Sequence, residues 1–427
     1  MDNDSNGSAP GESSPMGMAV VGSARDIEVT EASRFRSLRQ ALIGVVARMR
    51  ICLFTPTFLP RVGGAELVVD TLARRFQAEG HEAIVLAAPM SGDGAVTVPY
   101  RVVRYRKPLW LQYWPERLGR ALRQLHRAHP LDVVLAFYGQ PTGWAAIHAR
   151  RATDVPVVLR CPGGDLYRHG KTRRCAHRWR RVVAAYQQAD AVVAISSYTE
   201  QLIREIAPQP RRLACIPNGV HPATVTAPAR RPESYRDTRP FCLCLGNLIP
   251  RKGFADAIDA FAQAAPDVAG LQLVIVGTGR SEPALRQRAT LLGVADRVHF
   301  LGQRTGNDKR WFLQNCAFGI MPSHEEAFGI VTAEFLAAGK PLIYTANSAC
   351  NGMYEHGVNG YCVPAQDPPA IARAMRWIHG GRLGDVRAVN AARLVHLDWG
   401  DCTRRYLMLL GQVVNGNVNG NPNRSSR

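Results

Sequence analysis

Two successive series of short apolar runs, each run followed by a helical stretch, set what this chain folds into. The first series starts at Met49 with RICLFTP, passes through FLPRVGGAE into LVVDTLARRFQAEGH, and continues with AIVLAAP, DVVLAF, VPVVLR and AVVAIS. That alternation predicts a parallel sheet with helices on both faces. At 213–221 the run LACIPNGVH reads as a strand ending in Pro-Asn-Gly, and the stretch that follows to 240, rich in Pro, Arg and Thr, reads as a linker. A second series then begins. It contains FCLCLGNL, a helix over 254–265, LQLVIVGTG, a helix over 282–292, VHFLG, AFGIMPS, a helix over 332–339 and PLIYTA. The expected fold class is therefore α/β, with two similar open sheets facing each other across a cleft. Ligands of such sheets bind beyond the C-terminal ends of the strands. The expected domains are 49–225, a linker at 226–239, 240–400, a C-terminal helix at 401–413 and a disordered tail at 414–427.

Residues 1–48 form an extension whose first 30 positions are rich in Ser, Gly, Asp and Asn and are expected to be disordered. RFRSLRQALIGVVAR at 34–48 has apolar residues at helical spacing with Arg opposite, the pattern of a short interfacial helix. The alternative is that Met49 is the true start. Asp2-Asn3-Asp4 has the form of a metal-binding D-x-D but lies in this tail.

No apolar run approaches the roughly 20 residues that span a bilayer, and the N-terminus lacks the layout of a secretion signal. The ten Cys are scattered without paired C-x-x-C sets, which disfavours a zinc site or disulfide framework and fits a reducing cytoplasm. Cys242 and Cys244, alternating with Leu243 and Leu245, read as buried strand positions. The net charge of +19 is unevenly spread: residues 49–225 hold 25 Lys and Arg against 12 Asp and Glu, residues 240–400 hold 15 against 13. The basic clusters are Arg101 to Arg127 and Arg168 to Arg181. Such a patch attracts nucleic acid or an anionic membrane face. Trp110, Tyr113 and Trp114 within the first cluster favour the lipid interface. An anionic membrane surface is the expected partner and nucleic acid is not. A merely solvated Arg-rich surface is the plain alternative.

The most informative stretch is Ser323-His-Glu-Glu-Ala-Phe-Gly-Ile-Val-Thr-Ala-Glu334, which places Glu326 and Glu334 with seven residues between them. One Glu falls in the loop and one in the first turns of a helix. The free N–H groups of a helix start favour an anion, most naturally phosphate. Carboxylates beside a phosphate suit the hydroxyls of a sugar and a ribose, which suggests a sugar nucleotide. Two solvated Glu on an amphipathic helix remain the bland alternative. Glycine loops follow other strands. Gly63-Gly64 follows the first, Gly246-Asn-Leu-Ile-Pro-Arg-Lys-Gly253 opens the second half, and Gly277-Thr278-Gly279 follows LVIV. Arg251 and Lys252 are placed to reach a diphosphate. None is a full Walker or Rossmann fingerprint.

Taken in order, GG-x-E, IPNGV, LGNLIPRKG, LVIVGTG, VHFLG, PSHEEAFGIVTAEFLAAGKPLI and GVNGYCVPAQDP resemble the retaining glycosyltransferases of GT-B fold, glycosyltransferase family 4 (glycosyl transferases group 1), over roughly residues 49–395. The resemblance implies that Glu334 accepts from the donor ribose and that Glu326 contacts the transferred sugar. Phe328, Gly329, Ile330 and Val331 would hold sugar and diphosphate through their backbone, while Lys252 neutralises the leaving diphosphate. Gly277 and the segment after Phe300 would line the base pocket, and Gly64 would approach the diphosphate from the N-terminal half. It implies no metal and no cofactor beyond the donor, charge on the leaving group being met by cations and helix dipoles.

Departures from the family pattern are specific. Asn247 stands where the family often has Arg, so Arg251 compensates or leaving-group stabilisation is weaker. Ser348-Ala-Cys-Asn351 replaces a usual Gly pair, and His221 follows IPNGV where Asp is usual. Where many members carry a His the chain reads Arg160-Cys-Pro-Gly-Gly-Asp165, making Asp165 the candidate group on that face, with His169 nearby. The expected reaction is transfer of a hexose from a UDP- or GDP-linked sugar to an acceptor hydroxyl with retention, by front-face attack. The acceptor is expected to be lipid-linked or a glycan precursor at the cytoplasmic membrane face. Rival readings are an epimerase or small-molecule glycosyltransferase of the same fold, and a non-catalytic homologue that keeps the scaffold on a membrane or nucleic acid.

Overall fold

The computed structural model describes residues 47–420 apart from Val62, 91–96, 106–117, His169, Lys171 and Asn347. The expected interfacial helix at 34–48 (save its last two residues), the aromatic residues of the first basic cluster, His169 and residues 421–427 lie outside the described residues.

The first series forms a seven-stranded parallel sheet in the order β3-β2-β1-β4-β5-β6-β7. Its strands are β1 Arg50–Phe54, β2 Glu82–Ala87, β3 Arg101–Arg104, β4 Val133–Phe137, β5 Val157–Arg160, β6 Ala191–Ala194 and β7 Leu213–Cys215. The second is six-stranded and parallel, ordered β10-β9-β8-β11-β12-β13. It comprises β8 Phe241–Leu245, β9 Gln272–Val276, β10 Val298–Phe300, β11 Phe318–Met321, β12 Leu342–Thr345 and β13 Gly360–Val363. Every residue of β4, β8 and β9 is buried, as expected of strands covered by helices on both faces. Cys242 and Cys244 are among them, and the ten Cys are all free thiols.

In each sheet the strand order reverses once, between β1 and β4 and between β8 and β11. At such a reversal the neighbouring connections diverge to opposite faces and leave a crevice beyond the strand ends. The loop into the helix Gly64–Ala78 leaves one reversal, and the loop into the helix Ile330–Ala337 leaves the other. Both halves lie in one compact unit, Arg48–Arg427.

The C-terminal helix, expected at 401–413, runs from Trp399 to Gly420, so residues 414–420 belong to it and not to the tail. It returns to the first sheet. Arg160 Nε donates to Tyr406 Oη at 2.9 Å, an Arg212 guanidinium N–H donates to the Gln412 carbonyl at 2.9 Å, and Phe76 meets Tyr406 edge-on. Buried Leu409, Leu410 and Val413 anchor it, packing that overrides the poor helix propensity of its Asn/Gly end. Among the described residues no helix is long and apolar enough to cross a membrane.

Candidate active site

A cavity of about 380 Å³ opens between the two halves, lined from both. On the C-terminal side the short turn Pro250–Lys252 is pressed against the end of β11. Gly253 makes this approach feasible: its φ is +68°, and a Cβ there would lie 2.0 Å from the Pro322 carbonyl oxygen. The turn carries Arg251 and Lys252 into the cavity lining beside Asn247, which is itself exposed.

Lys252 Nζ forms an ion pair with Glu326 Oε2, and Ser323 Oγ lies 3.5 Å from the same oxygen. Burial would raise the Glu326 carboxyl, but Lys252, Arg251 and Ser323 together hold it below the usual carboxylate value. The loop is pinned from beneath by the segment the sequence marks as unusual. Glu326 bridges to Ser348, Ala349 N–H donates to the Glu326 carbonyl at 3.0 Å, and Cys350 Sγ lies 3.3 Å from Thr332 Oγ1. Arg251 points elsewhere than at an open phosphate site, donating to the Glu325 carbonyl and stacking over the Tyr167 ring at 4.6 Å.

The helix Ile330–Ala337 starts two residues before the expected Thr332, capped by Gly329, which offers no side chain to the helix start. The N–H groups of Thr332 and Ala333 turn back to the Gly329 carbonyl at 2.8 and 3.2 Å. Those of Ile330 and Val331 have no protein acceptor among the described residues, and both residues line the cavity with Phe328 and Gly329. Uncapped N–H groups at the positive end of a helix form an anion site. Glu334 lies one turn further along and outside this lining. Lys309 Nζ sits 2.6 Å from its Oε1, while its Oε2 is buried without a partner. Gly277 is also outside the lining; its backbone packs on the loop after β8, where a Cβ would meet the Gly246 carbonyl oxygen at 1.9 Å.

On the N-terminal side Gly64 lies so close to the facing helix that a Cβ would come within 2.9 Å of Ile330 Cδ1. Tyr138, which follows β4 with φ +72°, and Arg160, at the end of β5, complete this wall. Asp165 does not line the cavity. It is buried, its Oδ2 accepting from Gly139 N–H at 2.5 Å and Tyr186 Oη at 3.3 Å, while Oδ1 has no partner. Desolvation pushes its carboxyl up to about 6, against the pull of those two donors. The geometry gives it the work of bracing the turn after β4, and corrects its placement on the acceptor face of the cleft.

Sequence reasoning missed Glu325. Its Oε1 accepts from Arg168 N–H and Tyr198 Oη, both at 2.9 Å. Beside it, Ala327 N–H donates to Tyr167 Oη at 3.2 Å and its carbonyl accepts from Ser196 Oγ at 2.6 Å. The loop bearing Glu326 is thus tied to the opposite half by its two neighbours. The doubled Glu325-Glu326 was the one signal available.

Residues 62–224 match the family described as Glycosyltransferase Family 4, and residues 226–393 match Glycosyl transferases group 1. The chain is 32% identical over 198 residues to an exopolysaccharide phosphotransferase of Streptomyces coelicolor, covering 45% of this chain and 20% of that protein. It is 28% identical to a GDP-mannose-dependent alpha-(1-6)-phosphatidylinositol monomannoside mannosyltransferase of Mycobacterium tuberculosis, covering 76% of this chain and 88% of the relative. Among solved structures, the sucrose-phosphate synthase of Thermosynechococcus elongatus superposes with a TM-score of 0.75 at 19% identity, covering 86% of this chain and all of the other. The chain belongs to the GT-B glycosyltransferases, enzymes that move a hexose from a nucleotide-diphosphate sugar to an acceptor.

Proposed function

We propose that this enzyme transfers its hexose with retention at the anomeric carbon, without a metal, to a lipid-linked acceptor at the cytoplasmic face of a membrane. One observation carries the reading of the donor site. The Lys252–Glu326 pair and the free N–H groups of Ile330 and Val331 converge in one cavity, pairing a hydroxyl acceptor with phosphate donors. Glu326 is the one carboxylate in that lining among the described residues, and Lys252 holds it. A carboxylate so paired orients hydroxyls and is a poor nucleophile, which supports front-face transfer. The acceptor oxygen bonds to the anomeric carbon on the face from which the diphosphate departs, and the acceptor proton passes to the leaving phosphate oxygen. Lys252 and the helix start meet the charge that develops there.

The acceptor class rests on the N-terminal half. The helix Leu118–Ala128 buries Leu118, Leu122 and Leu125 and exposes Arg120 and Arg127. The helix Ala176–Gln188 exposes Arg180, and Arg174 just before it is exposed as well. Each exposed basic side chain adds about 1 kcal/mol of attraction to an anionic bilayer. The mycobacterial relative, by its name, acts on a phosphatidylinositol glycolipid.

The test is turnover with a panel of UDP- and GDP-sugars, with and without chelator, reading the anomeric configuration of the product by NMR. An inverted product removes the retaining mechanism, and loss of turnover with chelator removes metal independence. Sedimentation with anionic liposomes that does not change across a salt series removes the membrane partner.

A further inference from the structure

We propose that Arg160 is a phosphate-binding residue of the cleft, gripping one phosphate of a bound substrate from the N-terminal side. The inference rests on the transferase reading above. Arg160 lines the cavity yet is only 1% exposed. Its Nε donates to Tyr406 Oη at 2.9 Å, one terminal nitrogen donates to Asn218 Oδ1, and its guanidinium lies over the Phe137 ring at 5.2 Å. All three neighbours are neutral. Among the described residues no carboxylate lies within ion-pair distance, and the other terminal nitrogen makes no hydrogen bond.

A buried cation without a counter-ion is costly, so the fold keeps one only where something offsets it. Guanidinium stays charged at such depth, and its planar fork fits phosphate oxygens. The other two cations of the cavity are already engaged, Lys252 by Glu326 and Arg251 by the Glu325 carbonyl and the Tyr167 ring. Three cations against one carboxylate leave the lining with an excess of positive charge, complementary to a diphosphate. Asn247, in the C-terminal part of the same lining, brings no charge of its own. The phosphate it holds belongs either to the donor diphosphate or to an acceptor phosphate close to the reacting hydroxyl.

Calorimetry on the full-length protein separates these. The probes are UDP, GDP and pyrophosphate, followed by inorganic phosphate added to nucleotide-saturated protein. If the donor is held, Arg160→Met weakens nucleotide and pyrophosphate binding about tenfold or more, whereas Tyr406→Phe, which removes only the brace, stays within about twofold. If an acceptor phosphate is held, nucleotide affinity survives in Arg160→Met, and inorganic phosphate, bound by the saturated wild type, is lost. Asn218→Asp sets a carboxylate against the guanidinium, so it raises the melting temperature while weakening phosphate binding. It decides the question should Arg160→Met not fold. A folded Arg160→Met, or Asn218→Asp, that binds all of these probes within twofold of wild type overturns the proposal. A wild type that binds pyrophosphate but neither UDP nor GDP overturns the donor reading and leaves Arg160 tested by pyrophosphate alone.

Discussion

Lys252 and Glu326, 74 residues apart in the chain, form a largely buried ion pair between the loops that follow two adjacent strands, β8 and β11. In the proposed transfer each holds the other's charge ready for a different part of one substrate, sugar hydroxyls for the acid and phosphate for the base. Lys252→Met is expected to lower kcat about hundredfold or more through the lost charge on the leaving group. It also leaves Glu326 buried and unpaired, costing about 3 kcal/mol of stability. The double variant with Glu326→Gln recovers most of that stability but none of the activity. Denaturant melts and single-turnover rates on the three proteins check both statements.

Glu334 holds one oxygen against Lys309 and keeps the other without a partner. An orphaned buried acceptor is expected to take a hydroxyl from the donor ribose. Wild-type protein therefore binds a nucleoside diphosphate about tenfold more tightly than its 2′,3′-dideoxy form, and Glu334→Ala erases the difference. Equal affinity of the wild type for both would place the ribose elsewhere.

Ser196 and Tyr167 clasp the two backbone groups of Ala327 across the cleft. Ser196→Ala and Tyr167→Phe are each expected to cost about 1 kcal/mol. Both raise the donor KM more than they lower kcat, because they loosen the position of the Glu326 loop. A kcat effect without a KM effect would argue against this role.

Asp165 supplies a pH dependence with a definite sign. Its carboxyl titrates in the fold at about 6, raised by burial, against roughly 4 in an unfolded chain. Its contribution to stability is complete below the unfolded value and is lost as pH rises through about 6, a loss of about 3 kcal/mol by pH 7. Asp165→Asn removes this decline, so the variant gains on wild type between pH 4.5 and 7.5. Glu326, held below the usual value, has the opposite sign: its contribution is present above the unfolded carboxylate value and lost as pH falls through its folded one. Urea midpoints at a series of pH values read the two apart when Asp165→Asn is compared with wild type.

Much of the fold was legible because both sheets are parallel and covered, so their central strands stand out as unbroken apolar runs. Two of the four edge strands, β3 and β13, escaped for the same reason in reverse. RVVR is bounded by Arg and partly exposed, and GYCV begins on a Gly inside a motif read for its family resemblance. The Glu326 loop, the turn bearing Lys252 and a helix close behind Gly329 were read from spacing and glycine placement, which report local backbone needs, although the helix begins at Ile330 and not at the expected Thr332. Contacts made between distant segments leave no local trace. Arg160 meets residues 58 and 246 positions away, and the Arg168 N–H reaches Glu325 157 positions away. Asp165 follows β5 but faces inward, since a carboxylate five residues after a strand can turn either to the cleft or to the neighbouring turn. Here Gly139 N–H draws it to the latter.

The return of the C-terminal helix onto the first sheet constrains how such an enzyme is recombined. The polypeptide passes from one half to the other at 216–240 and comes back before Trp399, where Val220 N–H donates to the Leu397 carbonyl at 2.8 Å. A chimera that takes its donor half from a homologue must therefore be an insertion with two junctions, one on each side of that crossing, and must keep the native last helix. A single-junction graft would pair the first sheet with a foreign helix and mismatch Tyr406 against Arg160. With the donor site in the second half, as proposed, donor specificity is portable in this architecture as an internal cassette and not as a terminal one.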